Sequence, residues 1–169
     1  SIIFSRYDSS RLFGKALIDI GGRCLLGRVI DRAKNIEGSD VTIVATTDRQ
    51  IDDKIVSFLE SENVEIFRGD CDDVFGRAVN ACKMFDLDGF ARICGDRPFF
   101  DYQLVSKSIS LLKTGKADFV TTMRPRTVPP GLTTEALNAK ILYEYDKHVV
   151  SYADREHLTS FFYREPVNF

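Results

Sequence analysis

The chain has 169 residues, 44% hydrophobic and 28% charged, with 23 lysines and arginines against 25 aspartates and glutamates for a formal net charge of -2. That length carries one domain with a sizeable core, and the balanced charge excludes a protein whose whole surface grips nucleic acid, while a local basic pocket for a small anion is still allowed. No apolar run reaches the roughly 18 residues of a membrane span, and nothing resembles a signal peptide.

Ile2-Ile3-Phe4 reads as a short buried strand, followed by the loop SRYDSSRLFGK at residues 5–15. Ala16 to Ile20 is expected to pair as a short strand turned by Gly21-Gly22. Apolar residues at helical spacing predict a helix over 24–35. The β-branched run VTIVATT (41–47) reads as a central strand. A helix is expected from Asp52 to Asn63, a strand at 64–69, and a helix capped by Asp72 or Asp73. GFARICGD (89–96) returns as a strand, Tyr102 to Leu112 as a helix with Asp101 as its cap, and ADFVTTM (117–123) as a further strand. Three of the five prolines then fall in RPRTVPPGLTTEALN, so 124–135 is expected to be an ordered excursion. Helices are predicted over 139–149 and 153–164. His148 sits late in the first of these, where a cationic ring suits the helix dipole, and reads as structural. One domain, 1–169, is expected, and its end on a helical pattern suggests that the natural chain continues past Phe169.

Alternating strands and helices through residue 123 indicate an α/β fold with a mainly parallel sheet. In such sheets ligands bind at the carboxyl ends of the strands. The loops expected there, 5–15, 46–53, 68–77 and 95–101, are charged with both signs and should converge on one rim. Four cysteines (Cys24, Cys71, Cys82, Cys94) lie far apart with no C-x-x-C pair, which favours free thiols in a reducing cytosol over zinc or a disulfide framework.

The first loop matches neither G-x-x-x-x-G-K-[ST] nor G-x-G-x-x-G. Ser9, Ser10 and Gly14 can still offer hydroxyl and backbone donors, and Arg11 and Lys15 add fixed positive charge, a set that suits a polyphosphate. In ICGDRPFFD, Asp96 follows a buried strand and a glycine, where a carboxylate can meet Mg²⁺; that ion favours one or two carboxylates plus phosphate oxygens. Together these groups point to attack at a nucleotide phosphorus, with options open from kinase-like to pyrophosphorylase-like chemistry.

SRYDSSRLFGKALIDIGGRCLLGRVIDRA resembles the opening of cytidylyltransferases that activate acidic sugars, a pattern close to A-R-x-x-S-x-R-L-P-G-K-x-L-x-x-I-x-G-K-P-L-[IL]. VATTDRQIDDKI, VEIFRGDCDDVFGRAVNA, ARICGDRPFFD, RTVPPGLTTEALN and REHLTSFFY resemble successive blocks of the branch named for spore coat polysaccharide biosynthesis protein F, with CMP-Kdo and CMP-sialic acid synthetases as more distant relatives. The resemblance implies a three-layer α/β/α sandwich of the nucleotide-diphospho-sugar transferase, Rossmann-like kind. It implies transfer of CMP from CTP to a sugar acid or similar hydroxyl acceptor for a surface glycan precursor, with Mg²⁺, in the cytoplasm, by a homodimer. By position, Arg11, Lys15 and Asp96 would be catalytic. Ser5, Arg6, Ser9, Gly14, Thr46, Asp48, Arg68, Asp73 and Arg77 would border the nucleotide. Arg97, Glu135, Arg155, Glu156 and His157 would face the acceptor, with Asp96 and Glu135 as metal ligands. His157 is also a candidate general base. Phe13 stands where the family has proline, Arg23-Cys24 where it has lysine-proline, and Thr133 where the branch has aspartate. Two other readings stay open: a sugar-phosphate nucleotidyltransferase using another NTP, which should require a basic acceptor pocket, and a non-catalytic nucleotide-binding module.

Overall fold

The computed structural model describes residues 1–9 and 11–164, so the expectations placed on Ser10 and on the chain after Arg164 lie outside the described residues. Six strands form one sheet in the order β3-β2-β1-β4-β6-β5. They are β1 (Ile2–Phe4), β2 (Ile43–Thr47), β3 (Glu65–Gly69), β4 (Gly89–Cys94), β5 (Phe119–Thr121) and β6 (Glu135–Asn138). The first four pair in parallel, and β6 runs antiparallel to both of its neighbours.

Side chains alternate across each strand, and the two faces bury separate cores. Ile2, Ala45, Phe67 and Phe90 face a layer built from α3 (Val74–Met84), α5 (Ala139–Tyr145), α6 (Tyr152–Glu156) and α7 (Ser160–Arg164), where Phe75, Leu142 and Phe162 are buried. Ile3, Val44, Ala91 and Ile93 face α1 (Leu25–Ala33), α2 (Asp53–Leu59) and α4 (Tyr102–Lys113), which contribute Leu26, Ile30, Ile55 and Ile109. The result is the three-layer α/β/α sandwich. Asp101 caps α4 by accepting from Gln103 and Leu104 N–H at 2.9 and 3.1 Å, and Asp73 caps α3 through Gly76 N–H at 2.7 Å.

Several elements differ from their sequence prediction. Lys15–Leu17 is a 3₁₀ turn and only a single bridge, Asp19 to Cys24, replaces the strand expected at 16–20. Both edges of β1 are already filled by β2 and β4, so no ladder is open to it. The helix expected over 52–63 is a 3₁₀ turn at Gln50–Asp52 followed by α2, and the chain turns at Asn63 with φ 49°. The excursion ends in a strand: β6 lies inside the sheet, with Ala136 and Leu137 wholly buried. EALN has no β-branched residue, so pairing with β4 and β5, not propensity, makes it extended. The predicted helix 139–149 stops at Tyr145, placing His148 in the turn that follows, and 153–164 is broken into α6 and α7 around buried Leu158.

Candidate active site

One glycine lets the ends of β1 and β4 converge, and a second closes the loop that follows β1. Gly95 N–H donates to the Phe4 carbonyl at 2.9 Å, and a Cβ on Gly95 would lie 2.7 Å from that of Ser5, so only glycine permits the approach. Gly14 takes φ 71°, and its N–H closes the first loop onto the Tyr7 carbonyl at 2.9 Å. Phe13 meets the Tyr7 ring edge-on, with centroids 5.3 Å apart. The loop is anchored from the far side of β2, where Tyr7 N–H donates to buried Asp52 at 2.6 Å and Arg49 grips Asp8 with two bonds of 2.6 Å.

This folding opens a cleft of about 260 Å³ at the carboxyl edge of β1 and β4. Ser5, Arg6, Ser9, Arg11, Lys15, Arg77, Asp96 and Glu156 line it, joined by Arg92 and Cys94. Five cations therefore face two carboxylates. Lys15 Nζ lies 2.5 Å from Asp96 Oδ2. Burial pushes the Asp96 carboxyl upward, but Lys15, Arg97 and its own backbone outweigh it and hold the pKa below the usual carboxylate value. The pair is partly exposed, and such pairs contribute about 0–1 kcal/mol, so an incoming phosphate can separate it at small cost.

Arg77 is the unusual member. It is 5% exposed, its Nε and Nη1 meet no hydrogen-bond partner among the described residues, and its guanidinium lies 5.9 Å from the centroid of the Phe4 ring. Burial pulls its pKa below the ordinary arginine value. A buried cation without an anion is costly unless something satisfies it.

The other predicted residues lie apart from this cleft. Gly14 shapes the loop from behind. Thr46 is wholly buried in β2 with its hydroxyl unpartnered among the described residues, and Asp48 is exposed beside β3. Arg68 is committed to the Thr47 and Arg49 carbonyls and to Asp53. Arg155 binds Asp73 and Asp146 and stacks on Phe75 with its guanidinium 5.3 Å from the ring centroid, so Arg155 and Asp73 fasten α6 to α3. Glu135 is buried, with one oxygen 2.7 Å from Arg92 Nη1 and the other 2.7 Å from the Tyr163 hydroxyl. Both of its oxygens are engaged away from Asp96.

Arg97 and His157 do come together, in a second cleft of about 440 Å³ with Arg124, Tyr163 and Arg164; Arg92 lines both clefts. Arg92 was missed by the sequence reading. Its signal is a lone cation inside the otherwise apolar GFARIC strand. Arg124, Tyr163 and Arg164 carry no comparable signal. A larger cavity of about 550 Å³ lies at the opposite, amino end of the strands, with Lys113 as its one lysine or arginine, which does not suit a polyphosphate.

Among the described residues no group of three histidines, cysteines or acidic residues could hold a metal. Asp96, beside Lys15 in the cleft, fits a different case: Mg²⁺ shared between one carboxylate and the oxygens of a bound phosphate. All four cysteines are free, and no described helix is long and apolar enough to cross a membrane.

The family profile for cytidylyltransferases matches residues 1–169. The chain is 34% identical over 165 residues to an uncharacterised protein of Methanocaldococcus jannaschii, covering 98% of this chain and 67% of that one. It is 26% identical to spore coat polysaccharide biosynthesis protein SpsF of Bacillus subtilis, covering 98% and 70%. Over 116 residues it is 34% identical to the 3-deoxy-manno-octulosonate cytidylyltransferase of Acinetobacter baumannii, of which it spans 44%. A solved cytidylyltransferase from Leptospira borgpetersenii superposes with a TM-score of 0.93 at 27% identity, over 99% of this chain and 71% of that one. The structure of a CMP-2-keto-3-deoxy-manno-octonic acid synthetase complexed with CTP shares the fold, with a TM-score of 0.71 at 19% identity, over 95% of this chain and 82% of that one. The chain belongs to the cytidylyltransferase family, a nucleotidyltransferase enzyme of the nucleotide-diphospho-sugar transferase fold.

Proposed function

We propose that the protein transfers CMP from CTP to a hydroxyl of an acidic sugar-type acceptor, releasing pyrophosphate in the making of a surface glycan precursor. The single observation that carries this reading is the excess of cations in the first cleft, with buried Arg77 in its lining and without an anionic partner among the described residues.

In this reading the triphosphate lies along the first loop, and Lys15 turns from Asp96 toward it. The acceptor oxygen bonds to the α-phosphorus as the bond to the bridging oxygen breaks in line. Arg11 and Lys15 take up the charge that grows on the departing pyrophosphate. His157 lines the second cleft, where the acceptor would lie, and in this reading it takes the hydroxyl proton. Asp96 would hold Mg²⁺, which when bound supplies further neutralisation of phosphate charge. A donor aimed at such developing charge is worth about 2.7–4 kcal/mol. The cytoplasm, where CTP is made, is the proposed location, and the homodimer rests on family resemblance, to be checked by sedimentation.

Thermal shift with each NTP and Mg²⁺ tests the donor. At 100 times its Kd a ligand stabilises by about 2.7 kcal/mol, so CTP should raise Tm well above the other nucleotides. Pyrophosphate release with candidate acceptors then tests catalysis. CTP with no preference over other NTPs, or binding without turnover for any acidic sugar, would overturn the reading.

A further inference from the structure

The second cleft carries charge that the protein does not neutralise. Arg164 is paired with Asp154, and Arg92 with Glu135. Arg97 donates from Nη1 to the hydroxyl of Thr133 at 3.1 Å, a neutral partner, and Arg124 lies over the Tyr163 ring at 5.2 Å. Neither Arg97 nor Arg124 has a carboxylate within ion-pair distance among the described residues. Arg97 lies near enough to Asp96 to lower its pKa, but that carboxylate is held by Lys15. At the junction with the nucleotide cleft, the buried Nε of Arg92 meets no partner among the described residues. His157 adds a further nitrogen donor site to the same wall.

One carboxylate is matched by one bidentate guanidinium. Two guanidinium groups without acidic partners, backed by a third with an unsatisfied N–H, match a group with two negative charges and three acceptor oxygens. We infer that this cleft binds a phosphomonoester, so that the acceptor carries a phosphate anchored by Arg97 and Arg124 in addition to the hydroxyl that attacks. The inference rests on the reading of the protein as a transferase with its acceptor in this cleft, and it narrows the acceptor from an acidic sugar to a phosphorylated one. Thr133 is then a specificity residue: its neutrality leaves Arg97 available to the ligand.

The test uses the whole chain with ¹⁵N-labelled arginine, reading the Nε–H resonances of Arg92, Arg97 and Arg124. The protein is first titrated with an α,β-methylene analogue of CTP and Mg²⁺, which reports separately on the nucleotide reading through Arg11 and Arg77. The occupied protein then receives inorganic phosphate or acetate at mildly alkaline pH, where phosphate is mainly the dianion. Phosphate should shift Arg97 and Arg124 with an affinity about tenfold or more above that of acetate. Thr133→Asp, which places a carboxylate on Arg97, should weaken phosphate by a similar factor and acetate by less. Exposed Arg124→Gln should weaken phosphate without unfolding the chain. Equal or tighter acetate binding, indifference to both substitutions, or no shift of Arg97 and Arg124 by either anion would overturn the inference even if the CTP analogue binds. Failure of the analogue alone, with phosphate still held by Arg97, would overturn the nucleotide reading instead.

Discussion

Two sets of arginines near the carboxyl edge of one sheet behave in opposite ways. On the flanks each guanidinium has its carboxylates: Arg49 holds Asp8 and Asp52, Arg68 holds Asp53, and Arg155 holds Asp73 and Asp146. Those contacts tie loops and helices to the sheet. In the cleft, Arg77 is more deeply buried than any of them and its Nε and Nη1 have no partner among the described residues. The contrast teaches that position in a motif does not assign a role. Arg68, Asp73 and Arg155 lie in family-like blocks beside Arg77 and Glu156, yet the structure engages them with one another or with the backbone.

The largest effect expected from breaking this contrast is on turnover. Lys15→Ala, Asp96→Asn and Arg77→Met should each lower kcat/KM for CTP by about 10²–10³, measured by pyrophosphate release. Arg77→Met should at the same time leave Tm unchanged or higher, because it removes a buried charge that the folded protein leaves unsatisfied. Full activity in that variant would place Arg77 among the structural arginines.

Arg155→Ala should reverse the pattern. It removes charge-assisted bonds to Asp73 and Asp146, worth about 1.5–3 kcal/mol, and should lower Tm by several degrees in thermal unfolding. The affinity of the folded variant for CTP should stay near that of the parent. A large loss of CTP affinity with unchanged Tm would move Arg155 into the binding machinery.

A smaller effect distinguishes the loop anchor. The hydrogen bond from Arg49, against the opposing pull of burial, holds the Asp8 pKa below its ordinary value. A depressed carboxyl adds stability that is fully present above the unfolded value of about 3.9 and is lost as pH falls through the folded value. The Tm difference between the parent and Asp8→Asn should therefore be present at neutral pH, correspond to no more than about 1 kcal/mol, and close below pH 4. A difference that grows on acidification would contradict the pairing.

The smallest effect is chemical. Cys94 lines the cleft, whereas Cys82 is wholly buried outside it and burial pushes its thiol up to about 12. CTP should protect Cys94 from thiol labelling while Cys82 stays unlabelled with or without nucleotide, as read by mass spectrometry. Protection of the other thiols and not Cys94 would move the nucleotide elsewhere.

Apart from the strand expected at 16–20, the order of strands and helices through residue 123 was written in the sequence, because period-two and helical spacings of apolar residues are local properties that survive folding. So were the convergence of residues 5–15 with Asp96 and the caps at Asp73 and Asp101, since a parallel sheet brings its carboxyl-end loops together whatever their composition. Tertiary structure alone decided the rest. β6 is extended because β4 and β5 offer it hydrogen bonds on both sides, a condition that EALN does not encode. Arg77 and Arg155 read alike in sequence, and differ because one is buried with no ion-pair partner among the described residues and the other meets two carboxylates. Which charges are neutralised depends on distances between segments far apart in the chain, and Coulomb attraction acts on those distances rather than on sequence spacing.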